Sequence, residues 1–118
     1  MMLPSSNDAA EIISENYPGG TLSFVEKMNE KAQELSLRNT HYEEPVGLLD
    51  AKNYTSPRDL ASLASFAMEN MDFAKVVGTK DKIIYDGRKN EPLLLENLNI
   101  LLELAGIILA FLIQGGPR

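Results

Sequence analysis

Four clusters of turn-forming residues cut this sequence into pieces, and most of the pieces are patterned as helices. The clusters are Pro18-Gly19-Gly20, the stretch from Arg38 to Tyr54, Ser56-Pro57 and Asp86-Gly87. Ahead of the first, Pro4-Ser5-Ser6-Asn7-Asp8 offers several N-cap residues, and Ala9, Ala10, Ile12 and Ile13 continue as a short helical pattern. After it, Phe24, Met28, Ala32 and Leu35 recur at helical spacing, with Glu26, Lys27, Glu30 and Lys31 on the other faces. The spacing predicts a helix from Leu22 to Leu37, opened by a capping box in which Ser23 stands three residues before Glu26.

From Arg38 to Tyr54 the periodicity stops. Asn39, Pro45, Gly47, Asp50 and Asn53 are turn formers, so an ordered loop of unusual length is expected. Ser56 then caps a helix with Pro57 in its first turn and Leu60, Leu63, Ala64, Ala67, Met68 and Met71 as its apolar face. Met68 and Met71 are expected to pack in the core. A short helix from Asp72 to Val77, closed by Gly78, precedes a β-hairpin. Lys82 to Tyr85 is its first strand, Asp86-Gly87 suits a type I′ turn, and Leu93 to Leu95 returns. A last helix is expected from Asn97 to about Ile113. The fold class is therefore mainly α with one β-hairpin.

The bulk properties narrow the function. With 118 residues the chain suits one core, and a formal charge of −6 with scattered basic residues disfavours a nucleic-acid partner. The absence of cysteine excludes disulfides, thiolate metal sites and a cysteine nucleophile. Met1-Met2-Leu3-Pro4 lacks the features of a signal peptide. The apolar run from Ile100 to Ile113 is shorter than the roughly 20 residues that span a bilayer, so a buried helix is expected there.

Ser5-Ser6-Asn7 is a Ser-x-Asn sequence, which by itself reads as a helix cap. Its surroundings carry more information. Leu3-Pro4-Ser5-Ser6-Asn7-Asp8-Ala9-Ala10 resembles the second catalytic motif of the serine-type D-Ala-D-Ala carboxypeptidases, the low-molecular-mass penicillin-binding proteins. Phe24 to Ala32, Asn39-Thr40-His41-Tyr42, Gly47-Leu48, Tyr54 to Ala61, Phe73 to Lys80 and Asn97-Leu98-Asn99 follow in that family's order. The resemblance runs from Ser5 to about Gly106. It implies the helical lobe of an α/β β-lactamase/transpeptidase-like fold over residues 1–106, with residues 107–118 as a divergent apolar tail. It also implies no metal and no organic cofactor, an envelope location outside the cytoplasmic membrane, and peptidoglycan stem peptides and β-lactams as the intact family's partners.

The family's chemistry is nucleophilic: a serine in Ser-x-x-Lys attacks the terminal D-Ala-D-Ala amide. By resemblance Ser5 is a catalytic hydroxyl that relays a proton toward the leaving amine, and Asn7 is the amide that holds the substrate's backbone. Two departures matter. No Ser-x-x-Lys precedes Ser5, and no lysine follows Lys89, so the family's Lys-Thr-Gly strand is missing as well. The expectation is a catalytically silent segment of such a carboxypeptidase, with apolar faces that favour marginal stability or self-association. The alternative is a non-catalytic helical binding module derived from the family. Outside the motif, His41 is expected to make a loop-stabilising hydrogen bond, and Glu43 and Glu44 to diverge into solvent rather than act as paired acids.

Overall fold

The computed structural model describes residues 2–47, 52–85, 87–99 and 102. Its contacts divide the chain into two units, Ser6–Ala74 and a second formed by Met2–Ser5 with Lys75–Arg118.

In the first unit, α1 (Asn7–Glu15) starts where the sequence predicts: Ser6 is its N-cap, and the Ser6 hydroxyl accepts from the Ala9 backbone N–H at 3.4 Å. α2 (Gly20–Glu34) begins two residues before the expected Leu22. The predicted capping box does not form, because Ser23 already lies inside the helix and the cap is Gly19 in a left-handed conformation, φ 91°. Gly19 is required twice over. A Cβ at this position would collide with the Ser23 side chain, and the backbone conformation itself disfavours a side chain.

α2 ends in a Schellman motif that no glycine announces. The Leu37 N–H bonds the Ala32 carbonyl at 2.8 Å, the Ser36 N–H bonds the Gln33 carbonyl at 2.9 Å, and Ser36 takes the left-handed position at φ 58°. The two residues joined by the longer bond, Ala32 and Leu37, are buried. α1 packs on α2 through Ser14, 1% exposed, whose hydroxyl bonds the Glu11 carbonyl at 2.8 Å and the Thr21 hydroxyl at 3.2 Å. Tyr17 meets Phe24 edge-on, with ring centroids 5.4 Å apart.

α3 (Pro57–Met68) has the predicted Ser56 cap and proline first turn, and α4 (Met71–Val77) is opened by Asn70, whose side-chain oxygen accepts from the Asp72 and Phe73 N–H groups. The apolar face expected on α3 is present as sequence but not covered. Leu60, Phe66 and Met68 are exposed, and Met71 is 80% exposed, so the two methionines do not pack in a core among the described residues. Spacing identifies an apolar stripe; it does not say that the same chain covers it.

In the second unit, β1 (Asp81–Tyr85) and β2 (Pro92–Glu96) form the expected antiparallel hairpin. The turn differs from the expectation. A two-residue turn at Asp86-Gly87 would oppose Tyr85 to Arg88, whereas Tyr85 pairs with Pro92, leaving residues 86–91 as the connection. The polar run Arg88-Lys89-Asn90-Glu91 gives a return strand nothing to pack, and pairing resumes at the apolar Leu93-Leu94-Leu95. The Asn97 amide bonds the carbonyls of Val77 and Thr79, both at 2.9 Å, and the Leu98 N–H bonds the buried Leu3 carbonyl at 3.2 Å. The predicted last helix does not begin at Asn97, since 97–99 are not helical. Most of its remaining length, and all of residues 107–118, lie outside the described residues.

Candidate functional site

The Ser-x-Asn sequence stands at the entry to α1, and the helix divides its labour among three residues. Capping falls on the middle one, Ser6. Ser5, immediately before it, is exposed and left-handed at φ 52°, a conformation that is costly for a residue with a Cβ and that gathers at functional turns. Asn7 is the first residue of the helix and half-buried. Neither the Ser5 hydroxyl nor the Asn7 amide forms a side-chain hydrogen bond among the described residues, while Ser6 is engaged. The helix cap is thus supplied by Ser6 without using either predicted site residue. Asp8 sits in the first turn, where the helix dipole favours a carboxylate.

The loop after α2 is held by side chains rather than by regular structure. Asp59, buried at the start of α3, accepts from the Asn39 N–H at 2.7 Å and from the Thr40 hydroxyl at 2.9 Å. Asn29 on α2 grips the Tyr42 backbone with both ends of its amide, donating to the carbonyl at 2.7 Å and accepting from the N–H at 2.9 Å. Asn53 accepts from the Glu43 N–H and donates to the Glu44 carboxylate, each at 2.6 Å, and Glu44 also accepts from the Val46 N–H at 2.7 Å. One antiparallel bridge, between His41 and Tyr54, closes the loop.

These bonds decide the remaining candidates. His41 makes the loop-stabilising bond expected of it, 2.9 Å from its Nε2 to Glu43. Glu43 and Glu44 are not paired acids, but Glu44 corrects the expectation that it diverges into solvent: it is half-buried and spanned by Asn53 and Val46. Among the described residues no cluster of His, Asp and Glu could hold a metal ion. No helix among them is long and apolar enough to cross a membrane.

An apolar recess of about 300 Å³ opens along α2, lined by Tyr17, Phe24, Met28, Leu37, Tyr42 and Leu63 among others. Phe24 and Met28 were readable from their helical spacing; the contribution of Tyr42 from the loop was not, because it depends on the Asn29 grip. Burial raises the Tyr42 phenol above its usual value of 10.0. Lys27 and Lys31 of α2 also line this recess; the Lys27 ammonium is raised by its bond to Glu30, and the Glu34 carboxyl is lowered by its bond to Lys31. These exposed pairs contribute little to stability.

The sequence matches the D-alanyl-D-alanine carboxypeptidase family over residues 1–109. It is 42% identical over 86 residues to the D-alanyl-D-alanine carboxypeptidase of Streptomyces sp. (strain K15), a match covering 68% of this chain and 30% of that protein. To the D-alanyl-D-alanine endopeptidase of Pseudomonas aeruginosa it is 35% identical over 101 residues, covering 86% of this chain and 32% of that protein. The fold matches the crystal structure of the Streptomyces K15 DD-transpeptidase with a TM-score of 0.80 at 36% identity, over 87% of this chain and 43% of that one. It also matches a D-alanyl-D-alanine carboxypeptidase of Mycobacterium tuberculosis with a TM-score of 0.77 at 31% identity, over 86% and 38% of the two chains. This chain spans about a third of the length of these curated relatives.

Proposed function

The chain belongs to the D-alanyl-D-alanine carboxypeptidase family, and from that premise we propose that it is the substrate-holding helical segment of a peptidoglycan D-alanyl-D-alanine carboxypeptidase. In this reading Asn7 presents its amide to the backbone of a stem peptide ending in D-Ala-D-Ala, and Ser5 supplies the hydroxyl that relays a proton toward the leaving D-alanine. The enzyme acts at the cell envelope, outside the cytoplasmic membrane, and β-lactams compete for the same residues. The observation that carries the reading is the division of labour at the α1 entry. Ser6 satisfies the helix, and Ser5 and Asn7 flank it without side-chain partners among the described residues. The N–H groups of the first helical turn that Ser6 does not occupy are further donors for a peptide carbonyl or carboxylate.

Acyl transfer needs an activated nucleophile as well as a holder. No serine in the sequence is followed three residues later by lysine, so none of its hydroxyls has the family's lysine partner. The segment alone therefore holds and does not cut. Calorimetry with an acylated D-Ala-D-Ala dipeptide tests this. The expected result is weak binding, on the order of millimolar, that Asn7→Ala abolishes and an L-Ala-L-Ala peptide does not reproduce. Intact-mass measurement after incubation with a penicillin should show no adduct. Absence of stereospecific binding, or a penicilloyl adduct on this chain, would overturn the assignment. Stoichiometric, tight binding without turnover would instead favour a helical binding module derived from the family.

A further inference from the structure

We infer that the outer edge of β1 is a self-association surface that pairs with β1 of a second copy of this chain. The inference does not depend on the role of Asn7. Among the described residues the sheet has two strands, and an isolated two-stranded hairpin is marginal in water. The register places Ile83, Tyr85 and Leu94 on one face and Ile84, Leu93 and Leu95 on the other, so neither face is the polar one. All five residues of β1 are exposed.

Charge makes the hairpin, rather than the acidic unit, the face through which two copies can meet. From Lys80 to Glu96 the hairpin carries Lys80, Lys82, Arg88 and Lys89 against Asp81, Asp86, Glu91 and Glu96, four of each sign and no net charge. Residues 6–74 carry five Lys and Arg against twelve Asp and Glu, a net of −7. Two copies therefore repel through that unit, including its apolar recess, and do not repel through the hairpin.

The hydrogen-bond pattern selects the edge. The Asn97 N–H bonds the Lys80 carbonyl at 2.8 Å, in register with the ladder, so the pairs alternate from there. Lys82 and Ile84 point their backbone groups inward at β2, and Asp81, Ile83 and Tyr85 point theirs outward. The same alternation turns the Pro92 nitrogen outward on β2, where it has no hydrogen to donate and blunts that edge. β1 contains no proline. An antiparallel pairing about a two-fold axis at Ile83 joins outward residues to outward residues: Ile83 with the partner's Ile83, and Asp81 with the partner's Tyr85. Lys82 then lies opposite the partner's Ile84, so no like charges face each other. The product is a four-stranded sheet with its apolar faces extended across both copies.

Sedimentation velocity on the full chain across a concentration series tests the pairing. The expected result is a reversible dimer that Ile83→Lys, which sets like charges opposite, weakens about tenfold or more. The chain has no cysteine, so Ile83→Cys is a clean probe. Facing Cα atoms about 5.5 Å apart lie within disulfide reach, and mild oxidation should link the dimer. Leu22→Cys, exposed in the acidic unit, should not link. A monomer at every concentration overturns the proposal. So does a linked dimer that forms as readily through Leu22→Cys as through Ile83→Cys.

Discussion

At the scale of single residues, the unusual features are small side chains that do a backbone's work. Ser36 holds the left-handed position of the α2 Schellman motif, a conformation that costs a residue with a Cβ about 1–2 kcal/mol. Ser36→Gly removes that cost and gives some of it back as unfolded-state entropy. We expect it to raise stability by about 0.5–1 kcal/mol, read as a higher urea midpoint. Asp59 is the opposite case, a buried carboxylate that serves two donors on the loop. Asp59→Ala strands the Asn39 N–H and leaves the Thr40 hydroxyl with the Thr55 hydroxyl alone, and should cost about 1–2 kcal/mol in the same measurement. Tyr42 supplies a pH dependence with a definite sign. Its phenol keeps its proton to higher pH in the folded chain than in the unfolded one. The associated stability is complete below the unfolded value near 10 and is lost as pH rises through the folded one. Urea midpoints measured from pH 8 to 11.5 should fall at the upper end, and Tyr42→Phe should flatten the fall.

At the scale of elements, the sequence was most informative where a side chain acts on its own neighbourhood. Ser56-Pro57 opens α3 and Ser6 opens α1 because capping is local chemistry that needs nothing from the rest of the chain. It was least informative where the backbone chose between two local options. Ser23 and Glu26 fit a capping box, but Gly19 and Gly20 carry the helix back past them, and the box lost to a left-handed glycine. Gly19→Ala should therefore destabilise α2 by about 1–2 kcal/mol, checked by thermal unfolding followed at 222 nm, whereas Glu26→Ala should change little. Asp86-Gly87 is favourable for a tight turn, yet the register was set by the apolar residues of β2. The grips of Asn29 on Tyr42 and of Asp59 on Asn39 and Thr40 join residues 13 to 20 positions apart, and no periodic pattern signals them. The Ser5 and Asn7 candidates came from family resemblance. What the structure adds is that Ser6, between them, does the capping.

At the scale of the whole molecule, the family's sequence is present and much of the usual burial is not. Among the described residues the buried hydrophobic side chains are Leu3, Ala32 and Leu37, while Leu22, Met71 and both faces of the hairpin are exposed. Residues spaced as a core and left uncovered are what a segment of about a third of its relatives' length presents. Dye binding follows. The isolated chain should enhance the fluorescence of 8-anilinonaphthalene-1-sulfonate several-fold under native conditions, and an unchanged signal would mean that these faces are covered. We propose, more narrowly, that the entry to α1 holds a D-Ala-D-Ala terminus. Its most direct test is a nitrogen-15 NMR titration of the chain with an acylated D-Ala-D-Ala dipeptide, following the Asn7 side-chain amide. We predict a saturable shift of that amide and of the Ser5 to Asp8 backbone N–H groups, absent with the L-Ala-L-Ala peptide. An Asn7 amide that stays in place, or shifts equally with either stereoisomer, would contradict the account.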